Sequence, residues 1–339
     1  MDTTRSLLAA IRGPRRAPGR DPAEGRMPSL EGAIGWLNSP PLTTAGLRGR
    51  VVVVDFWTYT CINWLRTLSY IRAWADKYEE QGLVVVGVHT PEFPFERDLD
   101  NVRDAAKEMA VRYPIALDSK YRIWRAFSNQ YWPAAYIADA EGRIRHHRFG
   151  EGGYEEIERA VQRLLRDSGR DGVPDDLVAD AGDGLEAQAD WANLETAETY
   201  LGSDQAQNFA SPGGLSGGGY ETPDRLELNQ WALAGEWTIG SGACVLNGAE
   251  GSIAFRFHAR DVHLVIGPPN RGASVPFRVT VDGAPPGDAH GLDVDERGEG
   301  TVRQQRLHQL IRQREPFGDR TFEITFLAPG AEAYAFTFG

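Results

Sequence analysis

The sequence predicts an α/β domain, a mixed sheet with helices on both faces, followed by an all-β antiparallel sandwich. Three observations predict this order. From Gly32 to about Arg166, continuous apolar runs alternate with stretches of helical period. After Ala189 the hydrophobic period falls to two and stays there. Between them lies an acidic, Gly-rich stretch, residues 167–189, whose weak periodicity marks a linker. The expected organisation is therefore a tail over 1–27, an α/β domain over 28–166, the linker, and a β-sandwich over 190–339.

Each element has its own reason. Residues 1–26 are rich in Arg, Pro and Gly and lack apolar periodicity, so they are expected to be a mobile, locally basic tail. Val51–Phe56 is unbroken apolar sequence apart from Asp55, as suits a strand buried on both faces. Leu65, Leu68, Ile71, Trp74 and Tyr78 recur at helical spacing and predict a helix from Ile62 to Glu80. Leu83–Val88 is a second buried strand. Asp98–Arg112 reads as a helix with Val102, Ala105, Ala106 and Met109 inward. Ala134–Ala138 and Arg143–Phe149 flank Glu141-Gly142 as a hairpin, and Glu155–Leu165 closes the domain as an amphipathic helix. In the second half, Ile253/Phe255/Phe257, Val262/Leu264/Ile266, Phe277/Val279/Val281, Phe322/Ile324/Phe326 and Tyr334/Phe336/Phe338 each alternate with polar residues. Short alternating strands at this density indicate a sandwich.

Composition excludes several functions. The formal net charge of −12 repels phosphate backbones, so nucleic acid is not an expected partner. No apolar run reaches the length of a membrane span. The N-terminus has arginines but no apolar core of signal-peptide length, so a cytoplasmic location is expected. Two cysteines, Cys61 and Cys244, do not make a disulfide framework. The histidines lack ligand spacing, and Asp293-x-Asp295 reads as a solvated acidic loop, so neither metal nor cofactor is expected.

The chemistry centres on VVVVDFWTYTCINW, Val51–Trp64. Cys61 falls between a buried strand and a helix start. There the helix dipole and unpaired backbone N–H groups favour a thiolate, which is the nucleophilic form. Asp55, six residues earlier in a buried strand, has either a structural hydrogen-bonded role or a proton to exchange with the sulfur. Pro133, after Tyr131-Trp132, is either an ordinary proline at a strand start or a cis proline turning a backbone edge toward Cys61, where an extended substrate could pair.

These residues carry a resemblance. VVVVDFWTYTC resembles the active-site strand of thioredoxins. FWTYTCINWLRTLSYIRAW, GVHTPEF, DSKYRIWRAFSNQYWPAAYI and HHRFGEGGYEEIE resemble the thioredoxin-like domain of the DipZ family, a branch of the TlpA-like redoxins. ETYLGSDQAQNFASP, RFHARDVHLVIGP, RLHQLIRQ and EAYAFTFG resemble that family's second domain, a jelly-roll sandwich like a carbohydrate-binding module. The resemblance covers residues 28 to 339. It implies a thiol–disulfide oxidoreductase with Cys61, Asp55 and Pro133 in catalytic positions, a cis peptide at Trp132-Pro133, and a substrate surface of Trp57, Trp64, Trp132 and Glu92. Glu92, in HTPEF, matches the acid that TlpA-like proteins place near their cysteines.

Three departures bear on mechanism. The family's CINC is Cys61-Ile62-Asn63-Trp64 here, its helix proline is Ser69, and the membrane electron-transfer domain that usually precedes these modules is not in this sequence. One thiol still supports monothiol chemistry on a disulfide-containing protein, with a low-molecular-weight thiol as the outside resolving partner, or reduction after oxidation by peroxide. The alternative is a redox-inactive binding protein in which Trp64 closes the site and the sandwich binds carbohydrate or a protein. Sugar binding would use exposed rings among Trp191, Tyr200, Tyr220, Trp231 and Trp237. Cys244, in Gly-Ala-Cys-Val-Leu, is expected to be a small buried hydrophobe.

Overall fold

A computed structural model describes residues 25–179 and 182–339. The chain divides into two compact units between Ala187 and Gln188. Most of the expected N-terminal tail, residues 1–24, lies outside the described residues. Its last residues are built into the first unit: the Met27 N–H donates to the Gly142 carbonyl, the Ile144 N–H to the Gly25 carbonyl, both at 2.9 Å, and Met27 is buried.

The first unit has a six-stranded mixed sheet of β1 (Gly35–Leu37), β2 (Val51–Trp57), β3 (Leu83–His89), β4 (Ile115–Leu117), β5 (Ala134–Ala138) and β6 (Ile144–Phe149), in the order β1-β4-β3-β2-β5-β6. β2, β3 and β4 run parallel; β1, β5 and β6 run antiparallel to their neighbours. This is the expected thioredoxin-like architecture. All seven residues of β2 are buried, as its apolar run requires of a central strand. Alternation sends Val52, Val54 and Phe56 into a cluster with Ile123, Phe127 and Tyr136. Asp55 and Trp57 point to the opposite face.

Helix α1 spans Ile62–Lys77, α2 Leu99–Glu108, α3 Arg122–Ala126 and α4 Tyr154–Asp167. α1 buries Leu65, Leu68, Ile71 and Trp74, the expected stripe. It ends at Lys77, short of the expected Glu80, with Tyr78 as its cap. α2 begins where the Asp98 side chain accepts from the Asp100 N–H at 2.9 Å, and it ends before Ala110, whose φ of 53° turns the chain. β1, β4 and α3 were not expected, because segments of three to five residues carry no readable period.

The acidic stretch expected as a linker is bonded to the first unit over much of its length. Lys77 pairs with Asp176 at 3.1 Å, Arg72 with Glu186 at 2.6 Å, and the Val178 N–H donates to Glu158 at 2.8 Å. Its charges are complemented by cations on α1, which a composition count does not show.

The second unit is the expected all-β domain. Its ten strands, from β7 (Thr199–Tyr200) to β16 (Glu332–Phe338), join in one antiparallel sheet curled around one large core, with a small separate cluster of Leu226, Ala232 and Ala254. The fourteen-residue β10 (Cys244–Phe257) makes the turn. It pairs with β16 at Cys244 and Val245 and with β15 (Arg320–Phe326) from Gly251, past an irregularity between Leu246 and Gly251. The inward alternation expected on four strands is present. On β16 a bulge opposite Val265 and Ile266 of β11 (Asp261–Gly267) shifts the phase, so Ala333 and not Tyr334 joins Phe336 in the core.

Candidate active site

Cys61 is the residue immediately before α1. Its own N–H donates to the Thr58 carbonyl at 3.3 Å, and its carbonyl accepts the Leu65 N–H at 3.0 Å. The first turn of α1 has no acidic residue, so none within the helix itself opposes the field of its N-terminus. The thiol is half-buried and lies 3.8 Å from the Trp132 carbonyl oxygen.

Trp132 is held from several directions. Its indole N–H donates to the Thr90 carbonyl at 3.1 Å, and its ring packs against Trp124 with centroids 4.3 Å apart. The Trp132-Pro133 peptide is cis, and the Pro133 carbonyl accepts the Gly150 N–H at 2.9 Å. The fold thus brings Cys61 together with Trp132 and Pro133, some seventy residues on in the chain.

Asp55 and Trp64 form a second group, directed inward. Both are fully buried, and the Trp64 indole N–H donates to Asp55 Oδ2 at 2.9 Å. Burial pushes the Asp55 carboxyl up to about 7, with the Trp64 N–H opposing the rise. Trp64 stacks on Trp57 with centroids 4.3 Å apart, and Trp57 meets the edge of His89 at 4.9 Å. Trp64 thus fills the interior and leaves Cys61 part-exposed. The hydrogen-bond partner of Asp55 is Trp64, not the sulfur.

His89, at the end of β3, has no ligand spacing in the sequence to mark it. It is fully buried beside Trp57, and burial lowers its pKa to about 3, so the ring is neutral at ordinary pH. Gly87 faces Asp55 across β2 and β3. A Cβ at Gly87 would lie 2.8 Å from Trp57 Nε1 and 3.0 Å from the Tyr113 ring, so only glycine leaves room for both aromatics.

Glu92 is half-exposed. The buried carboxylate of this loop is Glu96, four residues on. It accepts the N–H groups of Glu92 at 2.6 Å and Phe93 at 2.9 Å, and the Thr60 hydroxyl at 2.6 Å. Burial raises its pKa against these bonds. Glu96 ties the HTPEF loop to the residue just before Cys61. A 3-10 turn over Pro94–Arg97 folds it back, so that the Glu96 side chain accepts the Phe93 N–H at the turn's start.

The rings that sugar binding would use are mostly withdrawn from the surface of the second unit. Trp231 and Trp237 are fully buried, with indole N–H groups donating to the Gln207 and Ala234 carbonyls at 2.8 and 2.9 Å. Tyr220 is buried and Tyr200 half-buried; of the five, Trp191 alone is exposed. Asp293 is held by Arg306 and the Gln309 N–H, and Asp295 by Arg297 and the Glu299 N–H. Among the described residues no helix is long and apolar enough to cross a membrane.

Cys244 is fully buried in the second core, its sulfur donating to the Leu201 carbonyl at 3.3 Å, and burial pushes its pKa up to about 12. Iodoacetamide at about pH 8 is therefore expected to label Cys61 alone in the folded protein, with Cys244 labelled only after denaturation. Peptide mass spectrometry reads this directly, and native labelling of Cys244 would contradict the buried-core assignment.

Residues 35–147 match the AhpC/TSA family, and residues 196–339 match the thioredoxin like C-terminal domain. Protein DipZ of Mycobacterium tuberculosis is 39% identical over 248 residues, which is 72% of this chain and 35% of that protein. The chain thus spans about a third of the length of that relative. Thiol-disulfide oxidoreductase YkuV of Bacillus subtilis is 31% identical over 142 residues, 42% of this chain and 95% of YkuV. A solution structure of a thioredoxin-like protein in the oxidized form is similar at 32% identity and a TM-score of 0.39, covering 42% of this chain and 96% of that one.

Proposed function

Since the chain belongs to the thioredoxin-like redoxin family of thiol–disulfide oxidoreductases, we propose that it acts through Cys61 alone, by monothiol exchange. The Cys61 thiolate attacks one sulfur of a substrate disulfide; a Cys61–substrate disulfide forms and the other substrate sulfur leaves as a thiolate. With Trp64 where a second thiol would stand, an outside low-molecular-weight thiol then attacks the mixed disulfide. This returns the Cys61 thiolate and leaves the substrate joined to that thiol, or reduced after a second attack. The half-buried Cys61 sulfur facing the Trp132 carbonyl carries this reading. Pro133 and Trp132 supply a backbone edge along which an extended substrate aligns. Burial raises the Asp55 pKa to about 7, so this carboxyl gains and loses a proton near neutral pH, and its Oδ1 is not taken by the Trp64 N–H. Peroxide oxidation of Cys61 to a sulfenic acid, reduced by the same outside thiol, is the parallel use of one sulfur.

The alternative is a redox-inactive binding protein; the packing of Trp64 against Trp57, which leaves Cys61 part-exposed, supports the exchange reading. On the second unit, burial of Trp231, Trp237 and Tyr220 removes three of the five rings a sugar site would use, which favours the exchange reading. The deciding experiment incubates the protein with a disulfide and follows the Cys61 adduct by intact mass, then adds glutathione to discharge it. Cys61→Ser is expected to form no adduct and Cys244→Ser to form it at the wild-type rate. An equal rate in Cys61→Ser would overturn the mechanism.

A further inference from the structure

Beside the thiol, one pair of large rings faces solvent. Tyr131 is 46% exposed and Phe149 36%. They stack on each other with centroids 5.1 Å apart and planes inclined by 29°. The other aromatics of the site are withdrawn: Trp57 and Trp64 are fully buried and Trp132 is half-buried. Single exposed apolar residues are ordinary on a surface, but two rings stacked on each other and left open are a preformed contact patch.

The pair is anchored through the Tyr131 backbone and the Phe149 ring. The Tyr131 carbonyl accepts from the Asn129 side chain at 3.0 Å, and the other end of that amide accepts from the Tyr136 hydroxyl at 3.2 Å. Phe149 packs against Tyr136, at 5.8 Å between ring centroids, and His147, at 4.6 Å. In the β5–β6 register Phe149 faces Ala134, and the next N–H, of Gly150, bonds the Pro133 carbonyl. The patch therefore begins one residue from the carbonyl that faces the Cys61 sulfur. A rigid, solvent-facing aromatic pair costs little entropy to use in binding, which is why Tyr is enriched where partners dock.

From this, and resting on the exchange reading above, we infer that the Tyr131–Phe149 pair is a specificity platform for polypeptide disulfides that carry a large apolar side chain beside the reacting cysteine. An extended chain advances about 3.3 Å per residue. A substrate cysteine at Cys61 thus places the adjoining residue one step along the Trp132 backbone, where Tyr131 begins. A small disulfide ends at its own sulfur substituents and does not span this step.

The test uses three probes: hydroxyethyl disulfide, the disulfide-linked dimer of a short peptide with Phe next to its Cys, and the same dimer with Gly in place of Phe. Adduct formation at Cys61 is followed by mass. The wild-type protein is expected to react with the Phe probe roughly 10-fold faster than with the Gly probe, the scale of one well-packed interface ring. Tyr131→Ala and Phe149→Ala each bring that ratio close to one, and Tyr131→Phe keeps it. Taking the ratio cancels any general change in thiol reactivity. A wild-type protein without the preference, or a Tyr131→Ala variant that retains it, overturns the platform while leaving the exchange reading intact. A wild-type Cys61 inert even to hydroxyethyl disulfide overturns the exchange reading, and the platform with it.

Discussion

A Trp64→Cys variant is expected to discharge a mixed disulfide at Cys61 without any added thiol, at least about 10²-fold faster than the wild-type protein in about 1 mM outside thiol. Position 64 lies one helical turn from Cys61, so the new sulfur stands on the same face as the first. An intramolecular thiol replaces a dilute external one. The products become a disulfide between Cys61 and the introduced cysteine, and a free substrate thiol. The substitution has a structural cost. Trp64 is fully buried on Trp57 and is the donor to Asp55 Oδ2. Removing its ring opens a cavity, at about 3–5 kcal/mol. The variant is therefore expected to be less stable and yet to release substrate on its own. A time course of intact mass with a peptide disulfide checks this. An adduct as long-lived as in the wild-type protein would mean that Trp64 is not what separates this chain from dithiol chemistry.

Asp55→Asn is expected to stabilise the protein above about pH 7 and to have little effect near pH 4. The carboxyl titrates at about 7 in the folded chain against 3.8 ordinarily. Between these values the folded state holds a proton that the unfolded state has released. Stability therefore falls as pH rises from about 4 toward 7, and the full cost is present above the folded pKa. The rise from 3.8 to about 7 corresponds to a cost on the order of 4 kcal/mol. Asparagine has nearly the same shape, carries no charge, and its Oδ1 still accepts the Trp64 N–H. Urea unfolding of both proteins at about pH 4 and pH 8 measures the difference. A gap of the same size at both pH values would show that the buried charge is not its source. The same variant also reports on Asp55 as a proton holder: with that role, mixed-disulfide formation in Asp55→Asn loses any pH dependence centred near 7.

Much of the fold was legible because its signals are local. Val51–Phe56 reads as a central strand since nearly every side chain in it is apolar, and Leu65, Leu68, Ile71 and Trp74 read as one helix face from spacing alone. The placement of Cys61 between the two follows from chain order, and with it the helix-terminal position of the thiol. The alternating phenylalanines of the second half specified an all-β domain on the same ground.

What the sequence alone left open was where each side chain finds its partner. A tryptophan at position 64 could cover the thiol or turn inward. It turns inward because Asp55 and Trp57, from the neighbouring strand, offer an acceptor and a stacking face. Glu92 and Glu96 are equivalent in composition, and a turn beginning at Pro94 buries the second. Trp231 and Trp237 suit a sugar platform as well as a core, and the curl of the sheet around β10 assigns them to the core. Tyr334 keeps the period of its strand on paper and loses it to a bulge. Periodicity and helix termini depend on residues a few positions apart, and so they are written in the sequence. Burial, hydrogen-bond partners and the resulting pKa values depend on groups brought together from distant parts of the chain, and only the packed structure decides those.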